Sequence, residues 1–233
     1  MMQAAINDCQ LAWFDTEVKS DLRFSGSPLL RYDDPTRGLL DAAVWRLGET
    51  GRPVAVVTLE SYRLDDGRAK LTYELVSLSA SPFSLVSPRG VKWTPSASDF
   101  AMAALPDAPQ PGDTPTIRLT QVRAQARRFS AHETSGGNRV ECRLLPQPID
   151  RYSDQEHNLV DGAMFVFAKG TNPELALILE CNGQGWSYGI FRLSSAPLFA
   201  KLDGEQIYTA PWFNRYSVSS PYTAAGHAIS PEP

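Results

Sequence analysis

The chain has 233 residues, of which 42% are hydrophobic and 21% charged, with a net charge of −4. That composition suits a globular protein large enough for one big core or two smaller ones, and it excludes a disordered chain. A net acidic chain lacks the basic face of a general nucleic-acid binder, and no apolar run approaches the roughly 18–20 residues of a membrane helix.

The opening MMQAAINDCQ has no basic region followed by an apolar one, so no signal peptide is expected and the cytoplasm is favoured. Met2, Ile6, Cys9 and Trp13 form an apolar stripe at helical spacing, which predicts a helix already under way at the first residue and so a trimmed N-terminus. Strands are expected near 22–31, 41–47, 54–63, 70–79 and 83–86. KLTYELVSL alternates with period two, as a half-buried strand does, whereas PVAVVTL is apolar throughout, as a strand covered on both faces would be. The stretch TPSASDFAMAALPDAPQPGDTP is rich in Pro, Ala and small polar residues and reads as a linker.

Thr114 can cap a second helix with Pro115 in its first turn, and Leu119, Val122, Ala126 and Phe129 supply its apolar stripe, predicting a helix over 114–130. Its Arg118, Arg123, Arg127 and Arg128 read as the wet face of that helix. Strands follow near 139–145, 162–168, 174–181, 186–194 and 198–202, and the segment after Tyr216 reads as an extended tail.

Residues 28–60 laid over 148–180 without a gap are identical at ten of 33 positions, among them Arg31/Arg151, Tyr32/Tyr152, Asp34/Asp154, Asp41/Asp161 and Glu60/Glu180. The expected fold class is therefore α+β: an internal duplication of a helix-plus-antiparallel-β-meander module, with a pseudo-two-fold axis between the copies. The expected domains are 1–112, 113–215 and a tail, 216–233, with the boundary near Pro111–Thr114.

No nucleophile elbow, zinc-binding H-E-x-x-H, phosphate loop or dinucleotide fingerprint occurs. Cys9, Cys142 and Cys181 fit no metal or redox spacing, and His132, His157 and His227 include no metal-ligand pair. No catalytic residue, metal or cofactor is assigned. The doubled Arg, Tyr and carboxylate residues serve what the two segments share, which is structure. Asp154 and His157 could form a carboxylate–imidazole pair, but they lie in a polar connector. A specific site is then expected where the two segments differ: Trp186, Tyr188 and Arg192, of like parity on one strand, with Trp212 beyond the meander. Aromatic rings beside a guanidinium suit a planar or anionic ligand.

The stretches RLLPQPIDRY, DGAMFVFAKGTNPELALILE and SSAPLFAKLDGEQIYT resemble a group of bacterial proteins of planctomycete type that read R-L-L-P-Q-P-x-x-R-Y followed by F-x-x-G-T-x-P-E. The resemblance covers the second half and implies a bacterial source, but it brings no activity and no site residue. The expected function is a non-catalytic ligand-binding or protein-interaction module, whose partner is a small molecule or a protein and neither nucleic acid nor membrane. The alternative is a hydrolase with a carboxylate or His157 as base in a cleft between the modules.

Overall fold

The computed structural model describes residues 2–14, 22–64 and 66–229. Alternating and apolar stretches become strands in chain order: β1 (Gln10–Trp13), β2 (Leu30–Asp34), β3 (Leu39–Leu47), β4 (Ala55–Arg63), β5 (Ala69–Ser77), β6 (Phe83–Val86) and β7 (Lys92–Trp93). After β8 (Ala103–Ala104) come β9 (Phe129–Ser135), β10 (Asn138–Leu144), β11 (Asp150–Asp154), β12 (Leu159–Lys169) and β13 (Asn172–Cys181). The last are β14 (Trp186–Arg192), β15 (Leu198–Leu202), β16 (Glu205–Ala210) and β17 (Tyr222–Ile229). Two α-helices accompany them, α1 (Met2–Asn7) and α2 (Pro115–Ala126).

The chain divides into two compact units, the first of residues 1–49, 53–99 and 214–233, the second of 50–52 and 100–213. In the first unit the strand order is β17-β5-β4-β3-β2, beside a small sheet β1-β6-β7. Its core holds Trp45, Leu59, Tyr73, Phe83 and Trp93, with Met2 and Ile6 of α1 packed in. In the second unit one nine-stranded sheet runs β16-β15-β9-β10-β12-β13-β14-β8, with β11 added against β12. Val122 and Ala126 of α2 join Phe165, Leu177, Leu179 and Trp186 in its core. The apolar run PVAVVTL and the equally apolar ELALILE form β4 and β13, each between two neighbours in its sheet.

The expected α+β class is overturned: about 50% of the chain is strand and 10% helical, in antiparallel sheets. The helix-plus-meander module, repeated about a pseudo-two-fold, is not the architecture. The first stripe ends as a helix at Asn7, and Trp13 lies in β1, paired with Phe83 of β6. The second helix stops at Ala126, and Phe129 opens β9, which pairs with β10 and β15. Both stripes ran on because a few apolar positions at helical spacing also fit a strand's parity. Two neighbouring strands then outweigh a weak local helical preference.

The surroundings of the meanders differ as well, since β17 flanks β5 in one unit and β8 flanks β14 in the other. Within the meanders the pairing follows the doubled residues: Arg31↔Ala43 and Tyr32↔Ala42 in β2/β3, Arg151↔Ala163 and Tyr152↔Gly162 in β11/β12. Arg31 bonds Asp41 at 2.6 Å, and Arg151 bonds Asp161. Asp161 also receives Arg118 at 3.0 Å, so that arginine of α2 is buried and paired instead of facing water. Arg128 likewise holds Asp203 at 2.5 Å and the Pro106 carbonyl at 2.7 Å. Each buried glutamate accepts from its tyrosine, Tyr32 to Glu60 and Tyr152 to Glu180, at 2.9 Å in both cases.

Candidate functional site

Glu180 sits near the end of β13, between Gly162 of β12 and Ser187 of β14. A carboxylate buried there needs donors, because leaving it bare would cost several kcal/mol. Tyr152 supplies one, and its ring reaches Glu180 only because residue 162 is glycine: a Cβ at that position would stand 2.2 Å from the ring. Arg52 supplies two more, Nε to Oε1 at 2.9 Å and Nη2 to Oε2 at 2.6 Å, a bidentate fork. The Arg52 guanidinium also lies 5.6 Å from the Phe100 ring centroid. Its hydrogen bonds to Glu180 raise the arginine pKa further, and burial with the Glu180 charge pushes the Tyr152 phenol well above its ordinary range.

Glu60 of the first unit solves the same problem differently. Tyr62 donates to its second oxygen at 2.8 Å, in place of an arginine. Two neutral phenols do not offset desolvation, and burial raises the Glu60 pKa from the ordinary 4.5.

Beside the Arg52–Glu180 pair opens a groove of about 780 Å³ in the second unit. Asp154, His157, Cys181, Trp186 and the turn Asn182–Gly185 line it as well. His157 Nδ1 lies 2.8 Å from Asp154 Oδ2, and that contact holds the Asp154 carboxyl below its usual range. The imidazole is 80% exposed. Burial raises the Cys181 thiol, which is therefore a neutral S–H and a poor nucleophile. Ser187 Oγ turns to the Glu180 carbonyl, 3.5 Å away. Among the described residues no hydrogen bond joins His157 to Cys181 or Ser187, and no group of three His, Cys, Asp or Glu is placed to hold a metal. No helix among them is long and apolar enough to cross a membrane.

The residues expected from sequence are only partly brought together. Trp186 is buried, lines the groove, and its Nε1 has no hydrogen-bond partner. Tyr188 packs edge-on against Phe129, 5.2 Å between centroids, and faces a second depression of about 490 Å³ lined by Ala104, Asp107, Asp203, Glu205 and Ile207. Arg192 donates to the carbonyls of Ser194, Ala196 and Pro211 at 2.8, 2.9 and 3.1 Å, fastening the loop after β14. Trp212 is 61% exposed and lines neither depression. Arg52 was not foreseen. It is 128 residues from its carboxylate, and the one sign was that Asn172 stands opposite it in the offset alignment.

The chain matches no protein-family model, no curated protein and no solved structure.

Proposed function

We propose that the protein is a non-catalytic binding protein whose ligand, a net-neutral polar molecule, occupies the groove beside Glu180. The observation that carries this is the saturation of Glu180. Three donors hold its two oxygens, so it is a wall of the site and not a base waiting for a proton. Arg52 cancels Glu180 in the groove wall, and the Asp154 carboxylate is already bonded to the His157 ring, which favours a ligand without net charge. What lines the groove is a set of polar side chains, Asn182, Gln184 and the Arg52 guanidinium, beside the Trp186 indole, whose N–H is buried without an acceptor.

The hydrolase alternative has the Asp154–His157 pair in its favour, with a carboxylate orienting an exposed imidazole. It lacks an activated nucleophile. The test is a screen of uncharged polar fragments by tryptophan fluorescence and thermal shift, on the wild type and on Trp186→Phe and Arg52→Lys. Hits that both variants weaken at least fivefold support the groove. Hits indifferent to both variants sink the proposal, and turnover of an ester or amide fragment that His157→Ala abolishes transfers the case to the hydrolase.

A further inference from the structure

The lining of the groove includes β8, two residues at the end of the nine-stranded sheet. It pairs with β14 through Ser187↔Ala104 and Tyr188↔Ala103, and Leu105 N–H donates to the Trp186 carbonyl at 2.9 Å. In an antiparallel ladder, hydrogen-bonded and non-hydrogen-bonded pairs alternate. Leu105/Trp186 is a bonded pair, so Ala103/Tyr188 is the next one and Ala104/Ser187 is not. The N–H and C=O of Ala104, and by the same parity of Met102, therefore point away from β14. Ala103 and Ala104 are exposed. The segment before β8 is held in place: Phe100 and Met102 lie over Gly189, where a Cβ would come within 2.4 Å of the Phe100 ring. The edge is short, small-sided and pre-positioned, and Ala104 lines both depressions.

We infer that the ligand of this groove is an extended peptide segment of another protein, which adds as a strand to the β8 edge with a basic residue at its end beside Asp107 and Glu205. The inference rests on the groove reading and names its ligand class. A peptide backbone is the net-neutral polar molecule that two outward N–H/C=O sets, spaced two residues apart, can receive. They span about 7 Å, enough for a three-residue pairing. The charge follows from the second depression, where Arg128 neutralises Asp203 but Asp107 and Glu205 remain exposed carboxylates.

The probes are fluorescein-labelled hexapeptides of alternating threonine and valine, one with lysine at both ends and one with glutamate at both ends. Anisotropy should show the lysine peptide bound at least tenfold tighter than the glutamate peptide. Methylating the backbone nitrogens of alternate residues should abolish binding in one of the two possible registers and spare it in the other. Ala104→Pro removes only an outward N–H and should abolish binding with the circular dichroism unchanged, while Asp107→Asn with Glu205→Gln should bring the two peptides within threefold of each other. Binding indifferent to both methylation registers, or a lysine peptide that does not bind at about 1 mM, overturns the inference. So does a concentration-dependent dimer that Ala104→Pro dissolves, since the edge would then serve a second copy. If the peptides fail while the Trp186-dependent fragment hits persist, the groove stands and the peptide does not.

Discussion

At the scale of single residues, the two buried glutamates make opposite predictions. Removing Arg52 leaves the Glu180 carboxylate with the Tyr152 hydroxyl alone. Arg52→Ala should destabilise the protein by about 2 kcal/mol, discounted because the arginine side chain is 37% exposed. Urea denaturation at neutral pH measures it, and a change below about 0.5 kcal/mol would show the fork to be incidental. Glu60 behaves the other way. Its folded-state pKa is raised, so the folded state holds the proton more tightly than the unfolded chain does. The stabilisation this lends is complete below the ordinary value of 4.5 and is lost as pH rises through the folded-state value. Denaturation of wild type and Glu60→Gln from pH 4 to pH 8 (an about four-unit window around carboxylate titration) should show the glutamine variant gaining relative stability as pH rises. A difference that is flat with pH, or that runs the other way, contradicts the burial argument.

At the scale of elements, Gly162 shows how a single missing Cβ seats one strand on another. Gly162→Ala forces Tyr152 aside and should cost about 1–3 kcal/mol, the range of overpacked cores. Tyr152→Phe, which keeps the ring and loses only the bond to Glu180, should cost less; the reverse order would mean that the ring has room to move. The central strands β3–β5 and β12–β14 were legible in the sequence because alternation, apolar runs and turn residues agree there, whereas β2 was expected earlier, over 22–31, and β11 not at all. Arg31 pairs with Asp41 and Arg151 with Asp161, ten residues apart across one hairpin; the sequence left Asp34 and Asp154, or a backbone carbonyl, equally open as partners. The helices were overread, since a stripe of four apolar residues cannot tell a helix end from the strand it leads into. Neither β8 nor β17 carries a local signal. AMAAL and YTAAGHAI are small-residue segments that become strands only because β14 and β5 offer them an edge. The groove inherits this illegibility: its walls come from a turn, a linker-like segment and a hairpin, and the residues chosen for breaking the sequence match include one, Trp186, that lines it.

At the scale of the whole molecule, neither unit is a continuous stretch of chain. The first takes back residues 214–233, and the second takes in 50–52 and begins at Phe100. A fragment of residues 1–112 therefore lacks β17, and one of 113–215 lacks both β8 and Arg52. Expressed alone, both should fail to give cooperative thermal unfolding; mixing them returns β8 and Arg52 to the second unit, but residues 216–233 are in neither fragment and the first unit stays without β17. Cooperative melting of either fragment by itself would show that the missing strand is dispensable. The core argues against that, because Leu71, Tyr73 and Leu75 of β5 are fully buried in the sheet whose margin β17 closes.

The β17–β5 pairing also has a consequence in time. Ala69–Ser77 is made well before its partner Tyr222–Ile229, with the strands of the second unit synthesised in between. About 150 residues separate them, so at ribosomal speeds the N-terminal sheet waits on the order of ten seconds for its final strand. Throughout that interval a nascent chain carries a nine-residue strand with one edge open, the state in which chains mispair with their neighbours on a polysome. The first of the two units is thus completed only after the second has been made, and the yield of native protein should depend on whatever shelters β5 until β17 is available.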